Sequence, residues 1–114
     1  IRERGLATLV RGQCYSACSL AFLGGQGRIL GEEGVIGFHQ AASSLEGSPA
    51  VQVMEGAADE LQRTIMREAG VRAWFIDEAM ATPNEQMWTP PRQVLADGGV
   101  ITHTWIDGEL QLAR

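Results

Sequence analysis

The sequence contains no lysine, and its basic residues are few. Its 9 positively charged residues are all arginines, against 14 aspartates and glutamates, so the net charge is −5. Because a nucleic-acid-binding surface concentrates basic side chains, this balance argues against a nucleic-acid partner. Long apolar runs are also missing: none approaches the roughly 18 residues that a membrane-spanning helix needs.

Cysteine and histidine are scarce too, with two of each. Cys14 and Cys18 have no second pair of cysteines or histidines at zinc-binding spacing, so we expect no metal site. The two cysteines either pack as small buried residues at a turn or, in an exported protein, form a local disulfide. A four-residue helical separation is an awkward geometry for a disulfide, and both interpretations stay open.

What is present is the composition of a soluble globular protein, with 45% hydrophobic and 20% charged residues. Residues 1–114 are as many as one domain needs, and we treat them as a single domain. The opening stretch IRERGLATLVRG has no initiator methionine and no apolar signal region. We therefore expect the first elements of the fold to be missing, together with any signal peptide or membrane anchor.

Short apolar stretches alternate with helical patterns along the chain. The strand pattern covers Leu6–Val10, Arg28–Leu30, Val35–Phe38 and Val100–Trp105. The helical pattern covers the stretch after Ser16, about Ala50–Ala69, Val71–Met80 and a short segment that follows Thr89 as N-cap. In the longest helix an apolar stripe predicts the buried face: Val51, Met54, Ala58, Leu61, Ile65 and Ala69. This alternation predicts an α/β fold, a mainly parallel sheet flanked by helices.

Ser16 lies at a predicted strand-to-helix junction, among small residues. Its hydroxyl can project from a tight turn there, and the backbone N–H of Ala17 at the helix start would point at a developing oxyanion. The alternative is that Ser16 simply caps the helix that follows it.

His39 favours the catalytic interpretation of Ser16. It ends the apolar strand VIGFH and precedes a polar loop, which is where functional residues of an open α/β sheet gather. A histidine in that place can accept the serine proton as general base.

The stretch CYSACSLAFLGGQGRILGEEGVIGFHQ resembles the catalytic core of the Clp protease proteolytic subunit and its relatives in the Clp/crotonase superfamily. It is most similar to Clp-like periplasmic serine peptidases, and the resemblance covers most of the chain. It implies a layered Clp/crotonase fold. Ser16 matches the nucleophile, His39 the general base, and Ala17 the residue whose N–H forms half of the oxyanion hole.

The third catalytic residue is where the sequence departs from this family. The family aspartate falls near Glu85 and Gln86, and an ungapped match lands on Gln86. Glu85 is the available carboxylate and would orient the His39 ring with a longer arm, whereas a glutamine would stabilise imidazolium poorly. A Ser-His dyad is the alternative, and loss of the acid of a triad lowers turnover by several orders of magnitude.

The resemblance implies a serine peptidase that acts on peptides or unfolded proteins, needs no cofactor, forms homo-oligomers through its long helix and is exported to the bacterial periplasm. Two alternatives share the fold: an acyl-thioester enzyme or binding protein, which lacks a Ser-His pair, and a non-catalytic interaction protein.

The remaining chemistry-bearing residues receive structural interpretations. His103 is expected to be a partly exposed edge-strand residue without a partner, and Asp107-Gly108 is a turn signal. The aromatics Trp74, Phe75 and Trp88 are expected to belong to a core or an interface and not to a substrate site.

Overall fold

The computed structural model describes residues 5–39, 49–83 and 86–113, and within them strands and helices alternate. The strands are β1 (Ala7–Val10), β2 (Gln13–Tyr15), β3 (Gly27–Gly31), β4 (Val35–Gly37), β5 (His103–Ile106) and β6 (Glu109–Leu112). The helices are α1 (Ala17–Phe22), α2 (Pro49–Glu68), α3 (Ala73–Ala81) and α4 (Arg92–Asp97). None of these helices is both long and apolar enough to cross a membrane.

The strands form two groups. Four of them build a sheet in the order β1-β3-β5-β6, parallel except for the β5–β6 pair, and β2 pairs with β4 in a separate parallel ribbon. Parallel neighbours require crossover connections, and here α1 joins the β1–β2 segment to β3. The predicted class, an α/β fold with a mostly parallel sheet, is confirmed.

The core is built from side chains of both strand groups and of the helices. Phe38 and Phe75 meet edge to face with ring centroids 5.1 Å apart, and Trp88 packs 4.8 Å from Phe75. Fully buried aliphatic residues surround them: Leu23, Leu30, Ile36, Met66, Leu95 and Val100. Each such side chain contributes about 1.5–3 kcal/mol by leaving water. The core assignment of Phe75 and Trp88 is confirmed, whereas Trp74 is half exposed.

The buried face of α2 differs from the predicted one. Leu61, placed in the predicted apolar stripe, is 60% exposed, whereas the next residue, Gln62, is buried. Met66 continues that buried face, whereas Ala69, the last residue of the predicted stripe, is buried as predicted. Between residues 61 and 66 the buried face is therefore shifted by one residue, because the packing of α2 against its neighbours outweighs its apolar periodicity.

The C-terminal strands also differ from prediction. The predicted closing strand begins only at His103. Val100 is not part of it, because its N–H donates to the Leu95 carbonyl of α4 (2.9 Å) and not to a neighbouring strand. A further strand, β6, follows a tight turn in which Asp107 and Gly108 both have positive φ (53° and 75°), the type I′ pattern of hairpins.

His103 is consequently not an edge residue. It lies between Ile29 of β3 and Leu112 of β6, and its Nδ1 pairs with Thr102 Oγ1 at 2.7 Å. The expectation of an edge histidine without a partner was wrong, because the short strand after the Asp107-Gly108 turn was not recognised.

The start of α4 was predicted two residues early. Pro91, with extended backbone (φ −68°, ψ 164°), occupies the N-cap position, so Thr89 is not the cap. Pro90 and Pro91 precede the helix because each proline pushes the residue before it towards extended backbone.

Arg28, the second residue of β3, is a buried cation, only 6% exposed. Its guanidinium donates to four backbone carbonyls: Nε to Val100 (2.7 Å), Nη1 to Gly25 (3.2 Å), and Nη2 to Gly99 (2.9 Å) and Ala69 (3.1 Å). These bonds connect β3 to the end of α2 and to the turn after α4.

Candidate active site

Ser16 occupies the single-residue turn between β2 and α1. Its backbone has φ 56° and ψ −117°, a conformation that non-glycine residues rarely adopt and that costs about 1–3 kcal/mol. Hydrogen bonds on both sides hold it: its N–H donates to the Gly37 carbonyl (3.3 Å), and its carbonyl accepts from Ser19 N–H (3.0 Å) and Ser19 Oγ (2.5 Å). Positive φ at a serine between strand and helix is the geometry of a nucleophile elbow.

The side chain of Ser16 does not cap the helix. Ser16 stands at the N-cap position of α1 but makes no side-chain capping bond. Its Oγ is instead hydrogen-bonded to Nε2 of His39. The capping alternative is therefore wrong for the hydroxyl.

The pairing of β2 with β4 explains why two residues so far apart in sequence meet. The strands run parallel in a register that sets Tyr15 opposite Gly37, so both chains leave the ribbon at the same end. Ser16 follows Tyr15 directly, and His39 comes two residues after Gly37. Serine and histidine thus project from neighbouring strand ends, as the sequence predicted.

The backbone around His39 is anchored on both sides. Before it, Phe38 forms an antiparallel bridge with Trp88, with both N–H···O distances at 2.9 Å. After it, the His39 carbonyl accepts a hydrogen bond from the side-chain Nε2 of Gln62 on α2 (3.2 Å). The imidazole is partly buried between these contacts.

Gly37 permits the close packing of this strand end. A Cβ placed on Gly37 would lie 2.6 Å from Cδ1 of Tyr15 and 2.7 Å from Cγ and Sδ of Met87. Any larger residue would force the Tyr15 ring and the Met87 side chain to shift.

Ala17 is the first residue of α1 and is exposed. The first N–H groups of an α-helix have no carbonyl partner within the helix, and the Ala17 N–H directly follows Ser16. Its role as donor to an oxyanion formed by attack of Ser16 Oγ stays a prediction.

Glu85, the predicted third member, lies outside the described residues. Its sequence neighbours on the C-terminal side approach the site: Trp88 is bridged to Phe38, and Met87 lies against Gly37. Gln86, the alternative, is exposed, and its N–H donates to the Pro83 carbonyl (3.0 Å). The role of Glu85 stays a prediction.

Cys14 and Cys18 form a disulfide that encloses Ser16. Their Cα atoms are 5.1 Å apart, within the usual range for a disulfide. The expected difficulty of helical spacing does not arise, because Cys14 belongs to β2, Cys18 to α1, and the sharp turn at Ser16 folds one towards the other. The thiols are thus not available as metal ligands, and no cluster of three or more metal-ligating side chains occurs among the described residues.

Removing the disulfide is expected to destabilise the protein and the serine turn. A cross-link closing so short a loop is worth about 2 kcal/mol through the entropy of the unfolded chain. Cys14→Ala/Cys18→Ala should lower the unfolding free energy by that amount in urea titrations. Dithiothreitol should reproduce the loss in the wild type and have no effect on the double variant. Equal stability of the two proteins would contradict this role.

Sequence reasoning found the Ser16–His39 pair but not the residues that hold it. Gly37, Trp88 and Gln62 were missed. The one available signal was a polar residue, Gln62, beside the apolar stripe of α2.

The sequence matches no model of a known protein family, and no curated protein is significantly similar to it.

Proposed function

We propose that the protein is a serine hydrolase, and specifically a Clp-like peptidase with a Clp/crotonase-type fold. The observation that supports it best is the hydrogen bond between Ser16 Oγ and His39 Nε2, made by a serine whose strained backbone presents its hydroxyl at a strand-helix turn. A nucleophile paired with a base from a neighbouring strand end is what acyl transfer requires.

In the proposed mechanism His39 Nε2 accepts the proton as Ser16 Oγ attacks the scissile carbonyl. The Ala17 N–H stabilises the oxyanion of the tetrahedral intermediate, and the imidazolium then gives its proton to the leaving amine. Water, deprotonated by the same imidazole, then attacks the acyl carbon. The bond from that carbon to Ser16 Oγ breaks, the acyl group leaves as a carboxylic acid, and the imidazolium returns the proton to Oγ. Glu85 is proposed to orient the imidazole; without it the pair would act as a dyad.

The proposed substrates are peptides or unfolded proteins. The family resemblance in the Ser16-to-His39 segment is the reason for this choice, and the observed α/β class agrees with it at the level of architecture. An acyl-thioester-binding protein or a non-catalytic scaffold would need no serine-histidine hydrogen bond and no strained serine, so the geometry favours the hydrolase.

Export and self-association belong to the same proposal. The Cys14–Cys18 disulfide supports an oxidising compartment such as the periplasm, where disulfides persist. Association of copies through the long helix is proposed from the family resemblance alone. The proposal includes no cofactor.

Hydrolysis of a fluorogenic peptide and of a small activated ester tests the proposed reaction. Ser16→Ala should reduce both activities by about 10⁴-fold or more, because no other group supplies the nucleophile. Tyr15→Phe is the matched control: it removes the neighbouring hydroxyl but keeps the ring that packs at Gly37, and it should retain activity. Equal rates for Ser16→Ala and wild type would refute the proposal.

A further inference from the structure

Gln62 is a polar side chain on the buried face of α2. It is 9% exposed and lies one turn before Met66, which is completely buried. Burial of an amide without hydrogen bonds costs free energy, so a glutamine on this face needs a specific partner. An apolar residue would suit the position better if packing were its only requirement.

The partner that the structure provides is the backbone of His39. The Gln62 amide donates from Nε2 to the His39 carbonyl at 3.2 Å. That carbonyl belongs to the peptide group on the C-terminal side of His39. On the N-terminal side, the bridge between Phe38 and Trp88 already fixes the strand. Gln62 thus supplies a second anchor, from a different element, on the other side of the same residue.

We infer that Gln62 is a positioning residue for the base of the proposed hydrolase, an inference that rests on the proposed function. By fixing the peptide plane after His39, the amide sets the direction of the Cα–Cβ bond and therefore where Nε2 lies relative to Ser16 Oγ. Displacements of about 1 Å at a catalytic group reduce rates by about 100-fold. Gln62 is bonded to the His39 backbone and would act on the reacting atoms only through that residue.

The decisive variant is Gln62→Met, which keeps the length of the side chain and removes the donor. With peptide substrate, kcat should fall about 10- to 100-fold while KM changes little, because the base is displaced and the binding surface is unchanged. Met66→Val is the matched control. It weakens the packing of the same helix face one turn on, without a bond to His39, and should lower the melting temperature but leave kcat unchanged.

A second readout does not depend on activity. The protein has two histidines, so the imidazole proton resonances of His39 can be assigned by comparison with His39→Ala. In Gln62→Met the His39 resonances should shift and those of His103 should not, whereas Met66→Val should move neither.

The outcomes separate this inference from the function on which it rests. Unchanged His39 resonances together with unchanged kcat in Gln62→Met would overturn the positioning role while leaving the hydrolase intact. The same kcat loss in Met66→Val would overturn it too, because loss of packing would then suffice. If the wild type has no hydrolytic activity, the proposed function fails, and the resonances alone decide whether Gln62 positions His39.

Discussion

Replacing His39 with alanine is expected to lower peptide hydrolysis by about 10⁴-fold. The imidazole is the only base bonded to Ser16 Oγ among the described residues, and a serine hydroxyl without a base is a weak nucleophile at neutral pH. The loss should appear in kcat, because His39 as the proposed base would accept the proton transferred in the transition state. Steady-state kinetics at fixed pH with His39→Ala, compared with wild type, measures it.

The chain offers an unusually direct control for this variant, since His103 is its one other histidine. His103 is bonded to Thr102 and lies in β5, which belongs to the four-stranded sheet and not to the β2–β4 ribbon. His103→Ala should therefore retain turnover. Equal losses in the two variants would contradict the assignment of His39 as base and indicate a general structural effect.

Arg28→Met is expected to be the most destabilising substitution considered. It removes the guanidinium that donates to four backbone carbonyls, and with it the hydrogen bonds that join β3 to the end of α2 and to the turn after α4. Hydrogen bonds to a charged group are worth about 1.5–3 kcal/mol each, but the cost of burying the guanidinium offsets part of the sum. We expect a net loss of about 4 kcal/mol, and a melting temperature lower by about 15 °C.

Arg67→Met is the matched control for Arg28. It removes an arginine that pairs with Glu60 on the exposed surface of α2, where an ion pair contributes about 0–1 kcal/mol. Urea titrations of both variants measure the difference in unfolding free energy. If Arg28→Met were no less stable than Arg67→Met, the buried carbonyl network would not hold the fold together.

Much of this architecture could be predicted because local pattern and tertiary structure agree. The apolar strand at residues 6–10, the stretch around Val35 and the glycine-terminated helix after Ser16 all occur at or within about two residues of their predicted positions. The Ser16–His39 pair was also foreseeable, since residues that follow neighbouring parallel strands meet at one edge.

Apart from the start of α4, which its prolines set locally, the elements that the sequence did not predict were decided by tertiary contacts. β2 is only three residues long and is a strand because it pairs with β4. In the same way, β6 is a strand because it pairs with β5. The elements that pack against α2 determine its buried face, so Gln62 is buried and Leu61 is exposed. The hydrogen bond from the Gln62 amide to the His39 carbonyl cannot be predicted from any periodicity in the sequence.

The most direct test of the central claim is to locate the covalent adduct of a fluorophosphonate probe. Trypsin cleaves at arginine in this lysine-free chain, so Ser16 falls in the peptide spanning residues 12–28, which also contains Tyr15 and Ser19. Fragment masses from tandem mass spectrometry distinguish the three hydroxyls. We predict that the phosphonyl group is found on Ser16 in wild type and that the peptide stays unmodified in His39→Ala. Modification of Tyr15 instead, or no adduct on the folded wild-type protein, would contradict the assignment of Ser16 and His39 as nucleophile and base.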